Sequence, residues 1–164
     1  MAKRTQQFGE LVNVVGDRGE NIFELAITDF SQFPRPLFRP AFLGDKWPAA
    51  DYLVELTGVK NMTPIFFVQV KSTSAAIADN RLKVALPPKK KRRLVCVPGP
   101  TYLVGVHEPM KRAFIRAVYD QSHQGVFEIP VTHELTPVNL RVLYDEVKAF
   151  WKLQNIKPQQ SAFA

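Results

Sequence analysis

The sequence predicts an α/β domain, with a mixed β-sheet flanked by helices and a helix at the C-terminal end. Residues 50–57 and 64–73 read as two strands joined by a short, turn-like connection over 58–64. Residues from Thr136 onward carry an apolar stripe at helical spacing behind a cap residue and a proline. The order along the chain is helix, strands, short helix, strands, long helix, which suits helices layered on one sheet.

Each element has its own signal. Phe8, Leu11, Val12 and Val15 recur at helical spacing, with Thr5 as an N-cap. Gly16-Asp17-Arg18-Gly19 interrupts the pattern, and Phe23, Ala26 and Ile27 resume it, so two short helices or one kinked helix are expected. Pro34, Pro36, Pro40 and Pro48 exclude a helix from the next stretch and allow at most an edge strand, over 37–43. The two strands 50–57 and 64–73 form an antiparallel hairpin. Residues 81–86 alternate like a strand, and Pro87-Pro88 opens a short basic helix. Strands follow over 101–107 and 112–119, with Glu108-Pro109-Met110 as their turn. Thr136-Pro137 starts the last helix, whose stripe is Leu140, Val142, Leu143, Val147, Phe150 and Trp151. The expectation is one domain over 1–156 and a flexible tail over 157–164.

Composition narrows the function classes. A chain of 164 residues, 46% hydrophobic with 12 Phe, is long enough to bury a core and is not a disordered segment. No run approaches the roughly 20 apolar residues of a membrane helix. The polar start Met1-Ala2-Lys3-Arg4 has no signal-peptide core, so a cytoplasmic protein without membrane association is expected. Cys96 is the only cysteine, which excludes an internal disulfide or a thiolate zinc cage; its setting between Val95 and Val97 suits a small core residue. The net charge of +7 favours a polyanionic partner.

The chemistry concentrates in Asp51 and, 69 − 51 = 18 residues later, Gln69-Val70-Lys71. Side chains alternate along a strand, so Gln69 and Lys71 share one face while Val68 and Val70 share the other. An amide and a lysine within the run Phe66-Phe67-Val68-Gln69-Val70-Lys71-Ser72-Thr73 are costly to bury without partners, and Asp51 is the simplest partner. The trio is either a buried ion pair or a holder for a divalent metal and a phosphate.

Asp51-Tyr52-Leu53-Val54-Glu55-Leu56 and Phe67-Val68-Gln69-Val70-Lys71-Ser72-Thr73 together resemble the second and third core strands of the PD-(D/E)XK nuclease superfamily in its Q-x-K variant. The likeness is closest to the Mrr-like branch and to a prokaryotic family of uncharacterised domains with a D…QxK motif. Gly19-Glu20-Asn21-Ile22-Phe23 resembles that family's first-helix Gly-Glu. The chain differs in carrying Gln69 where many active nucleases have Asp or Glu, and Ala50 where Pro precedes the aspartate.

The resemblance implies a restriction-endonuclease-like core and a Mg²⁺- or Mn²⁺-dependent DNA endonuclease acting in restriction, repair or defence. Asp51, Gln69, Glu20 and the carbonyl of Val70 would hold the metal, since hard cations prefer oxygen ligands. Lys71 would orient the attacking water or stabilise developing negative charge. Glu10 is the alternative to Glu20. Glu55 shares the face of Asp51, as a supporting or a solvated group; Asp45 reads as a loop residue and Tyr52 as packing on the opposite face. The rival expectation is a non-catalytic nucleic-acid-binding or assembly module on the same fold.

Lys89-Lys90-Lys91-Arg92-Arg93 is either a track for a phosphate backbone or a solvated basic helix. His107, His123 and His133 lack zinc-site spacing, and no phosphate-binding glycine loop or serine-hydrolase elbow is present. Phe30, Phe33, Phe38, Phe42 and Trp47 are expected mostly as core, with base stacking as the alternative. The Trp151 end of the last helix either closes the core or meets a second subunit; a homodimer and a separate partner protein are both compatible with the chain.

Overall fold

Two apolar faces back to back set the architecture of the central sheet. The computed structural model describes residues 2–44, 47–119 and 124–154, without the side chains of residues 2–13 and 15. In chain order the elements are α1 (Ala2–Ile27), β1 (Phe38–Phe42), β2 (Tyr52–Leu56), β3 (Ile65–Thr73), β4 (Arg81–Leu86), α2 (Pro88–Leu94), β5 (Thr101–His107), β6 (Arg112–Ala117), β7 (Val126–Pro130), a 3₁₀ turn (Val131–His133) and α3 (Pro137–Leu153). The main sheet has five strands in the order β1-β2-β3-β5-β6. Its β3–β5 pair is parallel and the other neighbours are antiparallel. The protein is therefore α/β with a mixed sheet, helices beside it and a helix at the C-terminal end, as the sequence predicts.

Strand alternation divides the side chains between two cores. On one face Val68, Val70, Tyr102 and Val104 pack with Phe23 and Ile27 of α1 and Leu140, Leu143 and Val147 of α3. On the other, Phe67, Leu103 and Phe114 pack under Leu82, Val84 and Leu86 of β4, Leu94 of α2 and Ile129 of β7. Strands β4 and β7 form a separate antiparallel pair over that face. Gly105 lets this pair lie close, since a Cβ there would stand 2.7 Å from Val84 Cγ1 and 2.9 Å from Leu82 Cδ2.

The structure corrects several expectations. Helix α1 is one continuous element of 26 residues, so the Gly16–Gly19 stretch breaks nothing and Thr5 lies within the helix rather than at its cap. Glycine disfavours a helix by about 1 kcal/mol, but Gly19 is where α1 meets β3: a Cβ there would overlap Ser72 Oγ. Strand β7 has no counterpart among the sequence expectations. Cys96 is exposed rather than core. It lies in a turn, with Cys96 N bonded to Arg93 O and Val97 N to Leu94 O, so strand alternation does not apply there. Val95 and Val97 are the residues that pack on the second core.

Among the aromatics, Phe38 is core and Phe33 packs beside it, whereas Phe30, Phe42 and Trp47 are exposed. Thr136 caps α3 as expected, accepting from Asn139 N at 3.3 Å. Trp151 packs on the first core and donates Nε1–H to Ile65 O at 2.6 Å, so its ring closes the core. No helix among the described residues is long and apolar enough to cross a membrane. Asp45, His123 and the tail 157–164 lie outside the described residues, as do the side chains of Phe8, Glu10, Leu11, Val12 and Val15.

Candidate functional site

Asp51 stands one residue before β2, where that strand's ladder with β3 begins. Its N–H donates to Val68 O at 2.9 Å and its carbonyl accepts from Leu43 N at 2.8 Å. The backbone thus fixes the residue from both neighbouring strands. Its carboxylate turns along β3: Oδ2 accepts from Val70 N at 2.7 Å and also from Gln69 Nε2.

Gln69 is buried on the same face of β3 as Lys71, with Leu103 and Gly105 as their partners on β5. Its Nε2 lies 3.4 Å from Val70 O as well. One amide nitrogen therefore sits against both the carboxylate of Asp51 and the carbonyl of Val70. These are two of the oxygens the sequence nominates as metal ligands. Nitrogen toward the carboxylate is the orientation that forms a bond, because the reversed amide would set oxygen against an ionised oxygen.

Lys71 is half-buried and lies in the fields of Asp51 and Glu20. Glu20 comes from α1, one residue after the Gly19 contact with Ser72, so the helix–strand approach also brings the glutamate to the lysine. Burial pushes the Lys71 ammonium below its usual range, and nearby Lys90 adds to that; Asp51 and Glu20 oppose it. Burial likewise pushes Asp51 up, against the bond from Val70 N, the charges of Lys71 and Lys90, and the bond from Gln69. Among the described residues Asp51 and Lys71 form no direct ion pair; they interact through space. A site in which burial disfavours both charged forms is strained electrostatically, a common property of functional centres.

The basic run divides by direction. Lys89, Lys90, Arg92 and Arg93 are exposed, and Lys90 reaches the field of Asp51 and Lys71. Lys91 is 3% exposed and donates to Gln124 O at 3.1 Å, so it belongs to the interior rather than to the basic surface. Glu55 lies at the far end of β2 and pairs with Arg39 of β1 at 3.3 Å. Tyr52 packs in the first core and donates to Glu24 at 3.0 Å. His107 is buried at the end of β5, where Nδ1 accepts from Met110 N, and plays no part in the site. The residue that sequence reasoning left outside the centre is Lys90. Only the turn of α2 back over the sheet brings it there.

The donor set suits a hard divalent cation: the carboxylates of Asp51 and Glu20 and the carbonyl of Val70 supply oxygen. Gln69 would join through Oε1 after its amide rotates. Among the described residues no group of three His, Cys, Asp or Glu side chains gathers, so one backbone or amide oxygen is required to complete such a site. No protein-family model matches this chain, and no curated protein matches it in sequence.

Proposed function

We propose that the chain is a metal-dependent phosphodiesterase: a DNA endonuclease-like domain of the PD-(D/E)XK type, with a restriction-endonuclease-like core, working on cytoplasmic DNA in restriction, repair or defence. The observation that carries this reading is the convergence of Asp51, Gln69 and Lys71 beside Glu20, with burial disfavouring the charges of both Asp51 and Lys71. Asp51, Glu20, the Val70 carbonyl and Gln69 Oε1 would hold Mg²⁺ or Mn²⁺. Bound there, the cation supplies charge neutralisation for the phosphoryl oxygens and a more acidic water.

Lys71 orients that water and stabilises negative charge as it develops in a partly dry setting. Lys90 draws the scissile phosphate toward the centre, and Lys89, Arg92 and Arg93 hold flanking phosphates. A homodimer would set two such centres against the two strands of a duplex.

The second reading is a non-catalytic nucleic-acid-binding module. The bridging amide of Gln69 favours it, because an N–H donor occupies the place between Asp51 and Val70 O. The test is incubation with supercoiled plasmid, linear duplex and single-stranded DNA in Mg²⁺, Mn²⁺ or EDTA. Cleavage with metal and none in EDTA is the expected result. DNA retained but never cut would transfer the assignment to the binding module.

A further inference from the structure

We infer that the Ala117 end of β6, together with α3, is a docking groove for an extended segment of a partner protein that carries an arginine or lysine. The groove lies on the opposite sheet edge from β1 and shares no lining residue with the candidate site. Two cavities of about 270 and 210 Å³ meet there at Tyr102, Ala117 and Glu146.

Three observations converge on that occupant. The first is main-chain direction. Ala113 O accepts from Leu135 N, and Ile115 O faces His133 Nδ1 at 3.2 Å, so alternate residues of β6 turn their polar groups away from β5. Ala117 continues that alternation. It pairs with Tyr102 in register, and its outward N–H and C=O have no partner among the described residues. Such a residue can exchange one pair of main-chain hydrogen bonds with an extended segment laid beside it.

The second is charge. Glu146 makes no ion pair among the described residues, in a chain of net charge +7. It is also held in place: Tyr102, 4% exposed, donates its hydroxyl to Glu146 Oε1 at 2.7 Å. A carboxylate fixed from below leaves its second oxygen for a cation above.

The third is the wall. Phe150 and Tyr119 line the same cavity, and Tyr119 is 83% exposed. Aromatic faces beside a carboxylate suit the stem and head of an arginine or lysine. The main-chain groups of Ala117 hold the segment, and Glu146 selects the basic side chain.

The test uses the whole chain and three fluorescent five-residue peptides, Thr-Val-Xaa-Val-Thr, with Arg, norleucine or Glu at the centre, followed by polarisation at 0.15 M salt. The expected result is binding of the Arg peptide, weakened at least tenfold by norleucine, by Glu at the centre, and by Glu146→Gln in the protein. That variant keeps an acceptor for Tyr102 and removes only the charge, so an unchanged melting temperature separates recognition from folding. The Arg peptide with N-methyl groups on its backbone should also fail to bind. Equal binding of Arg and norleucine peptides, no effect of Glu146→Gln, or no binding at millimolar peptide would overturn the inference. Competition by free arginine amide at the peptide's own affinity would replace the partner segment with a small cation. A dimer in sedimentation that Glu146→Gln dissociates would replace it with a second copy.

Discussion

Gln69 decides how the candidate centre behaves. Its amide nitrogen holds the oxygens of Asp51 and Val70 that a cation would need. Rotation of the amide, exchanging Nε2 for Oε1, costs those contacts. Gln69→Glu replaces the donor with a second carboxylate. It should tighten Mn²⁺ binding by about tenfold or more, or about 1.4 kcal/mol, in titration calorimetry without DNA. The same variant should be less stable than wild type without metal, because two close carboxylates repel.

Asp51 and Lys71 make a second prediction at this scale. Burial raises Asp51 above its ordinary 3.8, so its protonated form stabilises the fold below that value. The contribution is lost as pH rises through the raised value. Lys71 is lowered from 10.5, so its contribution is present above 10.5 and lost as pH falls through the lowered value. Burial thus acts against the charged form of each group. Asp51→Asn keeps an acceptor for Val70 N and removes the charge, so its melting temperature near pH 7 should not fall below wild type. The advantage should shrink below pH 3.8. A structural ion pair would instead lose about 3–5 kcal/mol.

At the scale of elements, the site depends on two close approaches. Gly19 brings α1 against Ser72, and Gly105 brings β4 and β7 down beside Lys71. Gly19→Ala should destabilise by about 1–3 kcal/mol through overpacking, and Ser72→Gly should recover part of that in a double-mutant cycle. Additive losses in that cycle would show that the two residues do not meet.

These contacts also mark what the sequence conceals. Alternation in 66–73 is enough to set Gln69 and Lys71 on one face. Gly19 reads as a helix breaker, because its reason for being there is Ser72, 72 − 19 = 53 residues away. Strand β7 is short, follows Gly125, ends in Pro130, and pairs with a strand about 40 residues earlier, so no local pattern announces it. The direction of the Gln69 amide follows from Val70 N and Asp51 together. Residue type alone does not contain it.

Across the whole molecule, charge and burial separate residues that look alike in sequence. Lys89, Lys90, Arg92 and Arg93 are exposed on α2, while Lys91 points inward to Gln124 O. Lys91→Ala should lower stability by about 1.5–3 kcal/mol, the worth of a hydrogen bond from a charged donor, and leave DNA affinity of the folded protein unchanged. Replacing the four exposed residues by Ala should weaken DNA binding and reduce its salt slope by about 3–4, near 0.9 per phosphate contact, with little change in melting temperature. A loss of DNA affinity on Lys91→Ala alone would contradict this division.

The most direct measurement compares wild type and Lys71→Ala under single-turnover conditions on one labelled duplex with Mn²⁺. Metal and DNA affinities are measured in the same buffer. The expected cleavage rate is lower by about 10²-fold or more in the variant, with both affinities retained. Equal rates, or no metal-dependent cleavage by wild type, would contradict it.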